Sequence, residues 1–149
     1  MVINGVRLRY FKTREFIRGG EQWGGRMDRR LLILLDALRS AWGKPIAISN
    51  DPGALGRGTG TSTHNWLLHQ TVRAADIVPE GVTTREEAHR FAYLAKALGF
   101  TGVGCYPRWN QGIGFHVDTR DTDGSHIATW GRINGEYTTL AYAVAAIPE

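Results

Sequence analysis

Two histidines and one aspartate in this sequence have residue types that could bind a zinc ion. His69 precedes Asp76 by seven residues, and His116 follows Asp76 by forty. Two histidines and one carboxylate are a typical set of protein ligands for a catalytic zinc, because they leave the fourth position open for water. These three residues therefore predict a site whose cofactor is Zn²⁺.

The segments around these residues predict that two strands position them. Alternate residues of a strand point to the same face, so Ala74, Asp76 and Val78 would share one face of a first strand. His116 and Asp118 would share one face of a second strand in the same way. The two strands could therefore aim a carboxylate and an imidazole at the same point.

The rest of the sequence predicts the elements that hold these strands. Apolar residues recur at helical spacing over residues 28–42 and stop at Gly43. Thr84-x-x-Glu87 makes a capping box for a second helix, which ends at Gly99. Residues 50–60 contain four glycines and one proline and are predicted to form a loop beside the site. Short strands are predicted at residues 46–49, 71–78, 102–106, 112–119 and 128–130, and a closing helix at residues 139–146.

Together these elements indicate an α+β protein, with a small, mainly antiparallel sheet and flanking helices. A length of 149 residues predicts one domain that spans residues 1–149. Cys105 is the single cysteine, which excludes an internal disulfide, and we expect it to be a small buried apolar residue rather than a nucleophile.

With these residues in view, the chain resembles the zinc D-Ala-D-Ala carboxypeptidases and phage endolysin peptidases, whose zinc domain is related to that of hedgehog. That family carries a Ser-x-His-x-x-Gly-x-Ala-x-Asp segment and a later short segment with the last histidine. The similarity covers roughly residues 7 to 131 in the same order. Its further matches are Tyr10-Phe11-x-x-x-Glu15-Phe16, residues 26–46, and Gly102-Val103-Gly104-Cys105-Tyr106-Pro107.

The resemblance implies His69 as the first zinc ligand. His64 is the competitor, because Ser62-Thr63-His64 reproduces the Ser-x-His of the family. However, His64 lies twelve residues before Asp76, whereas His69 has the family spacing of seven. We therefore assign His69 to the metal and interpret His64 as a loop histidine or an outer group. Residues 66–68, Trp-Leu-Leu, are expected to pack rather than to loop freely.

The resemblance also implies zinc-assisted hydrolysis of peptidoglycan stem peptides, by a D,D-carboxypeptidase or an L,D- or D,D-endopeptidase. Many relatives have a general base three residues before the last histidine, where this sequence has Ile113. Asp118 is the nearest carboxylate. It could be the catalytic base, or it could orient His116, and we slightly favour the second role. The alternative from another class is a non-catalytic structural protein of a virion that keeps the peptidase fold.

Substrate contacts are predicted at Arg57, Arg73 and Tyr106. Relatives usually hold the substrate with an arginine in a turn after the first strand, but here that turn is residues 49–53, Ser-Asn-Asp-Pro-Gly. Arg57 and Arg73 are the possible replacements. Tyr106 could line a peptide groove together with other aromatic residues, although ordinary core packing explains it equally well.

Charge and hydropathy bear on where such a protein would act. The net charge of +4 weakly favours an acidic polymer, but arginine and lysine are dispersed, so nucleic acid is not an expected partner. No apolar run has transmembrane length, and the N-terminus lacks the apolar stretch of a signal peptide. The resemblance then implies synthesis in the cytoplasm and action at the bacterial wall, after release by a holin or as a virion component among virion proteins.

Overall fold

The structure, a computed structural model that describes residues 1–124 and 126–149, begins with two small antiparallel hairpins. The first is formed by β1 (Val2–Ile3) and β2 (Val6–Arg7), and the second by β3 (Ile17–Arg18) and β4 (Glu21–Gln22). From the second hairpin, the guanidinium of Arg18 donates to the carbonyl oxygens of Ile48 and Ser49 at 2.8 and 2.6 Å. The hairpin therefore holds the two residues that lead into the predicted loop at residues 50–60.

A six-stranded sheet forms the centre of the molecule. Neighbouring strands follow the order β10-β9-β7-β8-β6-β5, and all pairs are antiparallel except β7 with β9. The predicted mainly antiparallel sheet is therefore confirmed, and β10 joins the five predicted strands. The bounds are β5 (Ile46–Ile48), β6 (Ala74–Pro79), β7 (Gly102–Trp109), β8 (Gly112–Asp118), β9 (Ala128–Ile133) and β10 (Glu136–Thr138).

In the described residues, four α-helices accompany the sheet: α1 (Arg29–Trp42), α2 (Trp66–His69), α3 (Arg85–Leu98) and α4 (Leu140–Ala145). Helix α1 follows Asp28, whose carboxylate accepts from the backbone N–H of Leu31, and it ends at Gly43 in the left-handed region. The predicted capping box of Thr84 and Glu87 begins α3. The two long predicted helices are confirmed. Among the described residues, no helix has both the length and the apolar character of a membrane span.

Alternation along the strands gives the sheet an apolar face and a polar face. Phe115 of β8 contacts Phe91 of α3, with ring centroids 4.7 Å apart, so its neighbour His116 points away from the helices. Asp76 and Asp118 share that second face, as alternation predicted. The sheet residues that join α1 and α3 in one buried core include Ile46, Ile48, Ala75, Ile77, Val103, Cys105, Phe115 and Val117.

Candidate metal centre

Three buried side chains converge on the polar face of the sheet: His64, Asp76 and His116. Asp76 of β6 and His116 of β8 are direct cross-strand partners. Asp76 Oδ1 lies 3.3 Å from His64 Nε2 and 3.2 Å from His116 Nδ1, and the two nitrogens are 3.3 Å apart. These residues form a group that could hold a metal ion.

The second nitrogen of each ring is hydrogen-bonded to a group that can only accept. His64 Nδ1 lies 2.6 Å from the carbonyl oxygen of Leu55, and His116 Nε2 lies 2.8 Å from Asp118 Oδ2. We therefore assign the ring protons to these two outer nitrogens. In the neutral rings the nitrogens that face Asp76 then have no proton, so three acceptors meet at one point. Such an arrangement needs a cation or additional protons between them.

The spacing of the three acceptors fits tetrahedral coordination. Zinc–ligand bonds of about 2.0–2.1 Å separate neighbouring tetrahedral ligands by roughly 3.3 Å. The observed separations of the nitrogen and oxygen atoms are 3.2, 3.3 and 3.3 Å. The donor set of two imidazoles and one carboxylate therefore suits a divalent metal in both chemistry and dimensions.

The electrostatics of the group favour a bound cation. Burial by itself would raise the pKa of Asp76, but in the metal-free protein an additional proton on His116 or His64 makes hydrogen bonds to Asp76 that bring its pKa well below the usual range. Burial would likewise lower the pKa of His116, but the hydrogen bonds with Asp118 and Asp76 raise it. Asp76 therefore stays ionised, and a proton and a metal ion would compete for His116 Nδ1.

The structure corrects one member of the predicted ligand set, because His64 and not His69 lies with Asp76 and His116. The chain between His64 and Asp76 contains the short helix α2, whose first turn is capped by the side chain of Asn65. His69 is the last residue of that helix, and Gln70 then reverses the chain with a φ of 68°. The helix takes up the five additional residues by which His64 is farther from Asp76 than His69 is.

His69 nevertheless remains beside the candidate site. It lines the same pocket as His64, and its Nε2 atom is buried without a hydrogen-bond partner among the described residues. The expected packing of residues 66–68 is also corrected: Trp66 packs against the core, whereas Leu67 and Leu68 are exposed. Helix α2 is a single turn of four residues, so only one side of it contacts the core.

Asp118 lies behind His116 rather than in the pocket. Its carboxylate is fully buried, and it accepts from His116 Nε2, from Thr63 Oγ1 at 3.2 Å and from the Arg120 guanidinium at 2.6 and 3.0 Å. Burial alone would raise the pKa of Asp118, but these hydrogen bonds to His116 and Arg120 bring it below its usual range. This placement fits a carboxylate that orients His116. It argues against the predicted alternative of a catalytic base, which must reach the substrate.

Two glycines of β7 make room for this arrangement. Gly102 pairs with Asp118 and Gly104 with His116, and a methyl group at Gly102 would overlap the Asp118 carboxylate. A Cβ atom at Gly104 would lie 2.5 Å from the indole of Trp130. Because residue 104 has no side chain, Trp130 reaches over it and its ring centroid lies 4.9 Å from that of His116. The Gly-x-Gly pattern is therefore a requirement of the site.

We expect Gly102→Ala to lower the free energy of unfolding by about 1–3 kcal/mol, because the added methyl group forces Asp118 to move in a packed site. Urea unfolding would measure the change. Gly25→Ala is the matched control, since a Cβ atom there meets nothing within 4 Å, and it should stay within about 0.5 kcal/mol of the wild type. Equal stability of the two variants would show that Asp118 does not occupy this space.

The candidate metal centre lies in a pocket of about 520 Å³. Of the predicted substrate residues, Arg57 and Tyr106 line it, and Arg57 Nη2 is 3.5 Å from Asp76 Oδ2. Arg73 is not among the described lining residues. Arg73 and Asp76 are three residues apart, and in an extended chain an odd separation places two side chains on opposite faces. The guanidinium of Arg73 therefore points away from the pocket and pairs with Asp121 at 2.9 Å.

Two further arginines of the pocket were absent from the predicted site. Arg120 pairs with Asp118 and lies with its guanidinium 4.9 Å from the ring centroid of Trp130, and Arg132 lines the pocket from β9. Arg120 is two residues after Asp118, which is a signal for the same face that could have been read from the sequence. Arg132 had no such signal, because the parallel pairing of β7 with β9 brings it to the site.

Comparison with known protein families, with curated proteins and with solved structures found no match.

Proposed function

We propose that this protein is a zinc-dependent peptidase that hydrolyses amide bonds in the stem peptides of peptidoglycan. The observation that carries the proposal is the buried group of His64, Asp76 and His116, in which three acceptor atoms face one another. Structural zinc sites are usually closed by four protein ligands, whereas catalytic sites use three and remain open to substrate. Three ligands beside a 520 Å³ pocket match the second kind.

The resemblance to the zinc D-Ala-D-Ala carboxypeptidases and phage endolysin peptidases supports peptidoglycan as the substrate. With His64 in the ligand group, Ser62-Thr63-His64 takes the place of the Ser-x-His segment, and five additional residues separate it from Asp76. The Gly-x-Gly-x-Tyr-Pro segment lies in β7 beside the ligand group. A hedgehog-related peptidase fold is part of the same proposal.

Each residue of the candidate metal centre has a separate role in this proposal. His64, Asp76 and His116 would hold the ion, and Leu55 and Asp118 fix the two imidazole rings through their outer nitrogens. When bound, zinc would polarise the scissile carbonyl group and lower the pKa of the attacking water.

A proton acceptor is also needed, and Asp51 is our candidate. Among the described residues that line the pocket, Asp51 and Asp76 are the two carboxylates, and Asp76 is committed to the ligand group. Asp51 is exposed at the rim, where its Oδ1 accepts from the backbone N–H of Gly53 at 2.8 Å. It can therefore accept a proton from a water in the pocket and release it to solvent.

The pocket suits an anionic peptide. The guanidinium groups of Arg57, Arg120 and Arg132 line it, and the planar guanidinium of arginine can bind a carboxylate through two parallel, charge-assisted hydrogen bonds. Stem peptides carry such carboxylates, at the chain end that a D,D-carboxypeptidase removes or on the residues that flank an L,D- or D,D-endopeptidase cut. In this proposal the protein acts at the bacterial wall, as a phage lysis enzyme or as part of a virion.

A non-catalytic virion component is the second candidate. It is favoured by Ile113, which occupies the position three residues before His116 where many members of the resembled family have an acidic base. In that case the protein would keep the metal as a support for the polar face of the sheet, and it would contact virion proteins instead of cleaving peptides.

Zinc analysis and a wall-digestion assay separate these candidates. Purified protein should contain stoichiometric zinc and release new amino groups from peptidoglycan, and a chelator should abolish the release until zinc is restored. Asp76→Ala should lose zinc and activity, whereas Glu86→Ala on the exposed side of α3 should keep both. Zinc without product would favour the virion component, and a protein that binds no zinc would overturn the metal proposal.

A further inference from the structure

A second pocket lies beside the candidate site, between the β9–β10 hairpin and α4. Its volume is about 740 Å³, which is within the range of small-molecule sites. Tyr137 lines both this pocket and the first one, so the two are neighbours on one surface. The second pocket is lined by Arg108, Ile133, Asn134, Glu136, Tyr137, Thr138, Tyr142, Ala145 and Ala146.

Two exposed aromatic rings distinguish this pocket from ordinary surface. Tyr137 and Tyr142 are 71% and 65% exposed, although both line a concave site. One face of Tyr137 is near the guanidinium of Arg132, whose Cζ lies 5.0 Å from the ring centroid. A phenol ring offers a flat apolar face and a polar edge, so the pocket suits a ligand with the same combination.

The charges of the two pockets differ in a way that restricts the ligand. The first pocket contains the three guanidinium groups described above and the two carboxylates of Asp51 and Asp76, and a divalent ion in the ligand group would enlarge this excess of positive charge, which favours an anion. Among the described residues of the second, Arg108 and Glu136 carry opposite formal charges, and Asn134 and Thr138 supply neutral hydrogen-bonding groups. The second pocket therefore suits a neutral ligand that is rich in hydrogen-bonding groups and has an apolar face. A sugar ring meets each of these conditions.

We infer that the second pocket binds the glycan part of the substrate, an N-acetylated sugar with no charge, while the anionic peptide lies in the first pocket. The identification of this sugar as that of peptidoglycan rests on the proposed function. The assignment of the pocket to a neutral saccharide depends on Tyr137, Tyr142 and the charge balance alone. The protein would then prefer a peptide still attached to its glycan strand over the free peptide.

Binding of chitotetraose, a tetramer of N-acetylglucosamine, tests the inference without requiring turnover, because this sugar contains no stem peptide. We expect chemical-shift changes in the NMR spectrum at Tyr137, Thr138 and Tyr142. Tyr142→Ala should weaken binding by roughly 3- to 10-fold through loss of the ring contact. Tyr93→Ala is the matched control, because Tyr93 is also 71% exposed but lies on α3, and its removal should leave binding unchanged.

The outcomes separate this inference from the proposed function. Saccharide binding by a protein that cleaves no peptide would support the saccharide site and contradict the proposed peptidase function. Peptide cleavage without saccharide binding would do the reverse and overturn the inference. Saccharide binding that Tyr142→Ala and Tyr137→Ala leave unaltered would also overturn it. The inference would also be overturned if the peptide tri-alanine changed the chemical shifts of Tyr142 and the sugar did not. The second pocket would then be an extension of the peptide groove.

Discussion

Purified His64→Ala protein should lack stoichiometric zinc, whereas His69→Ala should keep the zinc content of the wild type. His64 supplies one of three acceptor atoms that lie within hydrogen-bonding distance of one another, so its removal leaves two protein ligands. Since a structural zinc site with four ligands is worth about 10–16 kcal/mol, the loss of one ligand should weaken binding on the order of 100- to 1,000-fold. Metal analysis after dialysis measures the difference directly.

His69→Ala is a suitable control because both residues are histidines of the same pocket. The buried Nε2 atom of His69 has no hydrogen-bond partner among the described residues, so its loss breaks no such bond. Circular dichroism of both variants should show the wild-type fold. The reverse pattern, with zinc lost from His69→Ala and retained by His64→Ala, would make His69 the metal ligand and contradict the ligand group of His64, Asp76 and His116.

The parts of the site that follow local rules could be predicted from the sequence. Alternation of side chains along a strand is a property of the extended backbone, so the prediction that His116 and Asp118 share one face of the sheet was correct. Helix caps are equally local, which is why the capping box of Thr84 marked the start of α3, and Gly43 and Gly99 marked the ends of α1 and α3. No local rule identified Asp76 as the direct partner of His116. The sequence indicated only that two strands could aim these side chains at one point, and the register that makes them direct partners comes from the structure.

The choice between His64 and His69 could not be made in this way. It depends on α2, a helix of four residues that is too short to show a periodic apolar pattern. A spacing of seven residues fits a simple turn, whereas the structure uses the additional residues as one helical turn followed by Gln70 in the left-handed region. Arg132 and Trp130 were missed for a related reason. The parallel pairing of β7 with β9, which skips the intervening strand β8 along the chain, brings both to the pocket.

Three hairpins were missed although the sequence contains their signal. Asn4-Gly5, Gly19-Gly20 and Asn134-Gly135 each have both residues at positive φ, which is the conformation of the type I′ turns that favour two-residue hairpins. The first joins β1 to β2, the second joins β3 to β4, and the third joins β9 to β10. Recognition of Asn134-Gly135 would have extended the last predicted strand and added β10, the hairpin that carries Tyr137 to the pocket.

Asp118→Asn and Asp51→Asn should affect different steps, because the two carboxylates occupy different places. Asp118 is buried behind His116 and holds its outer nitrogen, so Asp118→Asn should weaken zinc affinity by roughly 10- to 100-fold. Asp51 lies at the exposed rim and outside the ligand group, so Asp51→Asn should bind zinc normally while peptide hydrolysis falls by about 100- to 10,000-fold. Zinc titration and the wall-digestion assay, performed on both variants, provide the two measurements.

Assays at excess zinc distinguish the roles of Asp118 and Asp51. If Asp118 acts only by orienting His116, excess zinc should restore much of the activity of Asp118→Asn, because the proton acceptor is intact. The same excess should leave Asp51→Asn inactive. An Asp118→Asn protein that is fully loaded with zinc and still inactive would make Asp118 the base, and His116 would then have to move to expose it. Full activity of Asp51→Asn would remove Asp51 from the reaction and leave Asp76 as the one described carboxylate that lines the pocket.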